Sequence, residues 1–197
     1  MVKRSALNVP KWDFLKVHKP MKQKNEHVLD VNAIRAGAKQ HVEDGAVSAG
    51  YQGDREKIIK MLNEALATEW VCVLRYLRHY YTATGIHNET VKAEFLEHAH
   101  QEQEHAGRIA ERIMQLNGEP DFDPATLNLR SHAEYDQSTD IKDMLKANLI
   151  AERIAVESYR QMIAIIGDSD PTTRQMLTEI MAQEEDHADD MSDLLGL

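Results

Sequence analysis

The stretch EQEH at residues 102–105 and the stretch EEDH at residues 184–187 decide how this chain is interpreted. In each stretch, a glutamate is followed three residues later by a histidine. On a helix, residues three apart lie on the same face, so a carboxylate and an imidazole at this spacing can bind one metal ion together. A third match, Glu97 with His100, lies on a different face with polar residues and is interpreted as a solvated pair.

Two further glutamates lie level with these motifs if the chain folds into helical hairpins. The midpoint of Glu69 and Glu102 is 85.5, and the midpoint of Glu152 and Glu184 is 168; both fall inside short predicted turns. Residues at equal distances from the turn of an antiparallel hairpin lie at the same height. Each glutamate is about 16 residues from its turn, or roughly 24 Å at 1.5 Å per residue. All four carboxylates are therefore expected in one layer.

Four long stretches with helical periodicity make up the body of the chain, and no strand signal is strong. They are predicted at residues 54–82, 88–117, 139–167 and 170–194. The links after the first and third helices are only a few residues long, which favours antiparallel neighbours. The link at residues 118–138 is long enough to run the length of a bundle. The sequence thus predicts an all-α four-helix bundle, in which two antiparallel hairpins are joined by a long crossover.

The glutamates and histidines of the predicted layer recur within the apolar faces of the four helices. Burial of such charges is costly unless something compensates them. Two divalent ions would do so, because four carboxylates supply −4, two neutral imidazoles supply 0 and two ions supply +4. Oxygen-rich ligation with some nitrogen suits iron or manganese, and the lack of thiolates argues against structural zinc. The competing interpretation is a set of ordinary charged positions on surface helices. The six candidate metal ligands are Glu69, Glu102, His105, Glu152, Glu184 and His187.

These residues belong to a longer pattern that resembles the bacterioferritins, over roughly residues 30–195. The matching motifs are Gly53-Asp54, Leu62-Asn63, Glu69, Tyr76, Glu102-x-x-His105, Arg108-Ile109-x-x-Arg112-Ile113, Asn117-Gly118-Glu119-Pro120, Glu152 and Glu184-x-x-His187. The resemblance is to the short bacterioferritin-type proteins of bacteria. It implies a ferritin-like four-helix bundle with two iron ions per subunit, oxidised by dioxygen or hydrogen peroxide. It also implies that Tyr76 lies beside the metal site; the alternative for this residue is a core aromatic with a satisfied hydroxyl.

Two departures from the bacterioferritin pattern bear on cofactor and assembly. Gln103 stands where haem-binding bacterioferritins carry methionine, so no haem is expected. The chain ends at residues 194–197, directly after the fourth helix, without the short fifth helix of the 24-subunit cage. We expect a homodimer as the minimal unit and a twelve-subunit cage in preference to a 24-subunit one. Trp70, Val71 and Leu74 give the first helix more apolar surface than one core stripe needs, which suits a dimer contact.

The charge is divided between a basic arm and an acidic body. The net charge is −10, and residues 1–24 hold seven bases and one acid, so the arm carries +6 and the remainder −16. We expect a basic N-terminal arm at residues 1–29, a short helix or linker at 30–52 and the bundle at 53–197. Such an arm can bind the phosphates of DNA, dock to a protein partner or act as a solubilising tail.

Cysteine usage and hydropathy indicate the compartment. Cys72 is the only cysteine, so an intrachain disulfide is excluded and a reducing cytoplasm is the expected setting. The sequence contains no run of 18 apolar residues, so no membrane span is expected. The N-terminus has basic residues but no apolar segment of the kind found in secretory signals.

A ferroxidase that converts Fe²⁺ to Fe³⁺ for iron storage or detoxification is the leading functional hypothesis. The alternatives are a di-iron peroxidase or oxygenase that retains its metals, and a Dps-type protein that protects DNA through the basic arm. His98, one turn before Glu102, is either a hydrogen-bonding neighbour of the site or a transient iron site. The acidic residues between 184 and 193 are either a solvated face or a path for incoming iron.

Overall fold

The computed structural model describes residues 29–85 and 88–197, where the regular elements are all helical. The helices are α1 (Val31–Gly37), α2 (Arg55–Thr82), α3 (Glu89–Gln115), α4 (Leu127–Arg130), α5 (Ile141–Ile166) and α6 (Pro171–Leu195), with a 3₁₀ turn at Val42–Asp44. Helices α2 and α3 form one hairpin and α5 and α6 form the other, so the predicted all-α bundle is confirmed. None of these helices combines the length and the hydropathy that a membrane crossing needs.

Side-chain caps explain where three of the four long helices begin. Asp54, Asp140 and Asp170 precede α2, α5 and α6, and each accepts a hydrogen bond from a backbone amide of the first turn. A cap of this kind contributes about 1 kcal/mol, because the first amides of a helix have no partner within it. Gly167 ends α5 with a φ of 54°, in the left-handed region that glycine tolerates. The four predicted ranges agree with the observed helices to within two residues at each end.

The end of α3 differs in detail from the prediction. Asn117, rather than Gly118, takes the left-handed conformation there, with a φ of 59°. Its side-chain amide donates a hydrogen bond of 3.1 Å to the carbonyl of Asp44, which helps to hold that conformation. Gly118 serves close packing instead, because a Cβ at this position would lie 2.9 Å from the side chain of Ile59 on α2.

The crossover between α3 and α5 packs along α2 and contains the short helix α4, which was not predicted. The guanidinium of Arg130 donates to the carbonyl oxygens of Asn63 and Asp121, at 2.9 and 3.0 Å. Further along, the hydroxyl of Thr68 accepts a hydrogen bond from the backbone amide of His132. These contacts satisfy backbone groups of an irregular segment that would otherwise depend on solvent.

The apolar surface of α2 that we assigned to a dimer contact lies partly beneath this crossover. The ring of Trp70 packs edge-on against Phe122, with the ring centroids 6.3 Å apart. Val71 is only 3% exposed, whereas Leu74 is 47% exposed. The chain's own crossover therefore covers Trp70, and Val71 is already buried, which leaves Leu74 as the residue of this group that is exposed enough to contact a second subunit.

The segment before α2 is hydrogen-bonded to the end of the bundle where α5 turns into α6. The hydroxyl of Tyr51 donates to Oδ2 of Asp170 at 2.9 Å, and Arg112 on α3 donates to both carboxylate oxygens at 2.9 and 3.0 Å. Helix α1 buries no side chain. The basic arm assigned to residues 1–29 lies outside the described residues except for its last one.

The bundle core consists of two apolar clusters with a polar layer between them. The cluster near the α5–α6 turn includes Leu62, Leu66, Ile109, Ile113, Leu177 and Ile180. The cluster near the α2–α3 turn includes Tyr76, Phe95, Met144, Leu145 and Met191. Burial of each large apolar side chain stabilises the fold by about 1.5–3 kcal/mol. Packing on both sides therefore holds the four helices rigidly at the height of the polar layer.

Candidate metal centre

The six residues predicted as metal ligands meet in the polar layer. Each of them is at most 3% exposed. Their ligand atoms form two sets, each with all atoms within 4.8 Å of one another: Glu69, Glu102, His105 and Glu184, and Glu102, Glu152, Glu184 and His187. Two glutamates, one from α3 and one from α6, belong to both sets.

These shared glutamates, Glu102 and Glu184, direct one carboxylate oxygen toward each half of the layer. Oε2 of Glu102 lies 3.4 Å from Nδ1 of His105, and its Oε1 lies 3.6 Å from Nδ1 of His187. Oε1 of Glu184 lies 3.0 Å from Nδ1 of His105, and its Oε2 lies 3.3 Å from Nδ1 of His187. A carboxylate arranged in this way can bridge two metal ions.

The other two glutamates are each held by a tyrosine from the opposite hairpin. Tyr76 donates a hydrogen bond of 2.5 Å to Oε1 of Glu152, and Tyr159 donates to Oε1 of Glu69. The structure thus places Tyr76 beside the centre, as the resemblance implied. Tyr159 was not predicted from the sequence as part of the site. The missed signal is a repeated spacing, since Tyr76 follows Glu69 by seven residues and Tyr159 follows Glu152 by seven.

Two glutamines orient the histidines of the centre. Nε2 of His105 lies 3.0 Å from Oε1 of Gln183, and Nε2 of His187 lies 2.6 Å from Oε1 of Gln101. An amide oxygen only accepts, so each Nε2 carries the hydrogen and each Nδ1 is left for a metal ion. Neither glutamine was predicted from the sequence. Their signal is that glutamine directly precedes glutamate in both Glu-x-x-His motifs.

Arg75 is a buried cation beside the centre that was not predicted from the sequence. Its side chain is fully buried, its Nη2 lies 3.6 Å from Oε1 of Glu152, and its Nε donates to Asn148 at 2.7 Å. Burial by itself lowers the pKa of Arg75, but the negative charge of neighbouring groups such as the Glu152 carboxylate outweighs it and raises that pKa. Four carboxylates and two divalent ions sum to a charge of 0. The guanidinium of Arg75 adds one positive charge, so the layer with two such ions would carry a net charge of +1.

Without metal, the layer favours bound protons. Burial, followed by the charges of Glu184 and Glu102, raises the pKa of Glu69 well above its usual value. Burial and the same two carboxylates also raise the pKa of Glu152. Burial lowers the pKa of His187, but the carboxylates of Glu102 and Glu184 outweigh this effect and raise the pKa to about 11. Protons thus neutralise part of the charge that a metal pair could neutralise.

The donor atoms of the layer fit a pair of metal ions. Seven buried ligand atoms lack a hydrogen-bond partner among the described residues: Glu69 Oε2, Glu102 Oε1, His105 Nδ1, Glu152 Oε2, Glu184 Oε1, Glu184 Oε2 and His187 Nδ1. Buried polar atoms nearly always have partners, so the convergence of these atoms on one layer fits a site that binds cations. Carboxylate oxygen with imidazole nitrogen is a donor set that suits iron and manganese.

Two further histidines of α3, His98 and His100, differ in burial. His98 is 1% exposed, and its Nδ1 lies 3.1 Å from the hydroxyl oxygen of Tyr76. Burial, followed by the neighbouring His187, lowers the pKa of His98 to about 4, so its imidazole is neutral at pH 7. Glu97 and His100 are exposed and lie outside both ligand sets.

The Ferritin-like domain family matches residues 59–197, which is most of the chain. The chain belongs to the ferritin-like family. It is 28% identical over 142 residues to a bacterioferritin of Brucella melitensis, covering 72% of this chain and 84% of the relative. It is 31% identical over 140 residues to the DNA protection during starvation protein of Pyrococcus furiosus, covering 68% of this chain and 74% of that protein.

Among solved structures, a dodecameric thioferritin related to bacterioferritin, from Bacteroides fragilis, is 33% identical to this ferritin-like protein. The two structures superpose with a TM-score of 0.71, covering 74% of this chain and 88% of that chain. The bacterioferritin-type resemblance found in the sequence is therefore confirmed, together with the ferritin-like architecture of the four-helix bundle.

Proposed function

We propose that this ferritin-like protein is a ferroxidase that binds two Fe²⁺ ions per subunit and oxidises them to Fe³⁺ with dioxygen or hydrogen peroxide, in iron storage and detoxification. The observation that carries the proposal is the membership of Glu102 and Glu184 in both ligand sets. Two ions that share bridging carboxylates lie side by side, so both electrons can pass to one oxidant molecule. Two electrons and two protons reduce dioxygen to hydrogen peroxide, or hydrogen peroxide to water.

The chain's own residues divide the work of holding the substrate iron. His105 and His187 offer one nitrogen each, on opposite sides of the shared carboxylates. Glu69 and Glu152 offer oxygens at the outer ends of the pair, where tyrosine hydroxyls hold them. The surrounding apolar clusters exclude water, which strengthens the electrostatic attraction between cation and carboxylate. The same donor set also accepts Mn²⁺.

Iron oxidation by variants of the bridging carboxylates tests the proposal. Protein loaded with Fe²⁺ without oxygen is mixed with dioxygen or hydrogen peroxide, and the formation of Fe³⁺ is followed by absorbance. We expect a fast phase of two Fe²⁺ per chain that is absent from Glu102→Ala with Glu184→Ala. The matched control is Glu104→Ala with Glu185→Ala, which removes two exposed glutamates from the same helices. An undiminished fast phase in the first double variant would contradict the proposal.

Repeated additions of Fe²⁺ distinguish the ferroxidase from a di-iron peroxidase or oxygenase that keeps its metals. A storage ferroxidase processes many iron ions per centre, because Fe³⁺ leaves for a mineral or for solution. A retained di-iron cofactor gives one burst of iron oxidation, after which added Fe²⁺ oxidises at the rate of the metal-free background.

We infer a homo-oligomer built from dimers, with a twelve-subunit cage favoured over a 24-subunit one. The dodecameric thioferritin relative supports this inference. Measuring the particle mass by light scattering separates a dimer from either cage. Gln103 leads us to expect no haem in the assembly, which the absorbance spectrum of purified protein tests.

DNA protection is the second candidate function, because one relative is a DNA protection during starvation protein. The basic residues 1–24 supply the required charge, whereas the remainder of the chain carries −16. Binding through the arm must weaken steeply as salt increases, since neutralised phosphates release counterions. Cys72 is a buried free thiol, in keeping with the cytoplasmic setting that we propose.

A further inference from the structure

A second group of metal-binding side chains lies next to the candidate centre and shares none of its six residues. Nε2 of His98 lies 4.0 Å from Oε2 of Glu94 and 3.3 Å from Oδ2 of Asp190. One ligand atom from each of the three residues lies within 4.8 Å of the others. Glu94 and His98 are one helical turn apart on α3, and Asp190 comes from α6.

This group extends from solvent to the candidate centre. The side chains of Glu94 and Asp190 are 34% and 55% exposed, whereas that of His98 is 2% exposed. The ring of His98 stacks on the ring of His187, with the centroids 4.2 Å apart. An ion bound here would therefore touch water on one side and lie one imidazole away from a ligand of the centre on the other.

Nε2 of His98 faces the two carboxylates and lies 3.3 Å from Oδ2 of Asp190. Nδ1 of His98 lies 3.1 Å from the hydroxyl oxygen of Tyr76, which can accept its hydrogen. A neutral imidazole with its hydrogen on Nδ1 has an acceptor at Nε2. Glu94 and Asp190 present further acceptors to the same point. With the hydrogen of His98 on Nδ1, its Nε2 and the two carboxylates can all bind one cation.

Among the described residues, no lysine or arginine pairs with these two carboxylates. Within residues 29–85 and 88–197, neither Glu94 nor Asp190 has a lysine or arginine nitrogen within 4.0 Å, and His98 is the one ion-pair partner of each. The pair carries −2, which one divalent ion neutralises. Partly desolvated like charges repel, so the arrangement is stabilised by a bound cation.

We propose that Glu94, His98 and Asp190 bind a third divalent metal ion, and that Fe²⁺ occupies this site on its way from solvent to the candidate centre. The binding site rests on these three side chains alone, whereas the loading role rests on the proposed ferroxidase function. Two carboxylates and an imidazole are donors that suit Fe²⁺, Mn²⁺, Co²⁺ and Zn²⁺. The exposure of both carboxylates leaves room for water ligands, so this site binds more weakly than the buried centre.

Equilibrium dialysis of the metal-free full chain against Co²⁺, followed by elemental analysis, counts the sites. We expect three Co²⁺ per chain in the unaltered protein, two tightly bound and one more weakly bound. Glu94→Gln with Asp190→Asn should bind two, because amides of the same shape do not supply the carboxylate charge. The matched control is Glu97→Gln with Asp193→Asn, which removes two exposed acids from the same helices and should bind three.

The third site would be overturned if the unaltered protein bound only two Co²⁺ or if Glu94→Gln with Asp190→Asn still bound three. It would also be overturned if the control variant lost one ion as well. Glu102→Ala with Glu184→Ala separates this inference from the ferroxidase proposal. That variant should retain one Co²⁺ per chain, held at the third site whatever the chemistry of the centre, and retention of none would overturn the site.

Iron oxidation kinetics test the loading role separately. In Glu94→Gln with Asp190→Asn, the apparent KM for Fe²⁺ should rise several-fold, because incoming ions are no longer concentrated beside the centre. The Glu97→Gln with Asp193→Asn control should keep the original KM. An unchanged KM in the first variant would overturn the loading role.

Discussion

The hydroxyl of Tyr76 donates its 2.5 Å hydrogen bond to Glu152 on the opposite hairpin, and not to Glu69, seven positions before it on its own helix. Tyr159 on the second hairpin donates in return to Glu69. The two hairpins contact one another less extensively than the helices within each hairpin do. Hydrogen bonds to carboxylates contribute about 1.5–3 kcal/mol each, so this exchange helps to align the hairpins at the height of the candidate centre.

Removal of either tyrosine hydroxyl should weaken metal binding. We expect Tyr76→Phe and Tyr159→Phe each to lower the affinity for Co²⁺ by about tenfold, because Glu152 or Glu69 loses the contact that orients it. Tyr81→Phe is the control, since Tyr81 lies on the same helix as Tyr76 and is 76% exposed. Competition with a chromophoric chelator measures the affinity, and equal affinities in all three variants would contradict the assigned role.

Loss of either glutamine that orients a histidine should lower the metal affinity, although neither glutamine binds the metal. Gln101→Ala and Gln183→Ala should each reduce metal affinity by about 10–100-fold, because the imidazole facing the metal loses the acceptor that holds its tautomer and ring orientation. Gln103→Ala, at an exposed position on α3, should change the affinity little. The idea fails if Gln103→Ala weakens binding as much as the other two substitutions.

The metal-free protein should lose stability as the pH rises, and metal binding should release protons. His187 has a folded pKa of about 11 against 6.5, so its stabilising contribution is full below pH 6.5 and is lost between pH 6.5 and about 11. The raised pKa values of Glu69 and Glu152 act in the same direction, starting from pH 4.5. Denaturant unfolding at several pH values should show a falling free energy of unfolding between pH 6.5 and about 11.

With Mn²⁺ present, this decline should be smaller, because the ion takes the place of the protons and binds the folded state preferentially. Calorimetric titration in buffers of different ionisation enthalpy reports the released protons directly. A binding enthalpy that is independent of the buffer would show that no protons leave.

Asp170 should contribute more to the free energy of unfolding than a helix cap that makes no ion pair. It caps α6 and also pairs with Arg112 while only 1% exposed. We expect Asp170→Ala to lower the free energy of unfolding by about 3 kcal/mol, since it leaves a largely buried guanidinium without its partner. Asp54→Ala removes a solvent-exposed cap from α2 and should cost about 1 kcal/mol. Similar losses in the two variants would show that the Arg112 pair contributes nothing.

The N-terminal arm should be dispensable for iron chemistry. The six candidate ligands and the third-site residues all lie between Glu69 and Asp190. A chain that starts at Asp30 should therefore oxidise Fe²⁺ at the rate of the full chain, measured by absorbance under identical conditions. A truncated chain that folds but no longer oxidises iron would place the arm in the functional unit.

The heights and faces of the six candidate ligands follow from the sequence. A helix rises by a constant amount per residue, so equal distances from Glu69 and Glu102 to their shared turn already imply that the two carboxylates lie level. The three-residue spacing between Glu184 and His187 likewise implies a common face. These are local properties of one helix or one hairpin, and they need no knowledge of the rest of the fold.

What only the tertiary structure decided is how one hairpin is rotated against the other. That rotation depends on the packing of side chains far apart in the chain, so the sequence spacing of Tyr76 did not reveal that its partner is Glu152. Arg75 shows the same limit, because arginine is usually exposed and nothing adjacent to it predicts burial. Asn148 and Glu152, more than seventy residues away, surround its guanidinium only after the hairpins pack together, and that packing places a permanent positive charge beside the candidate centre.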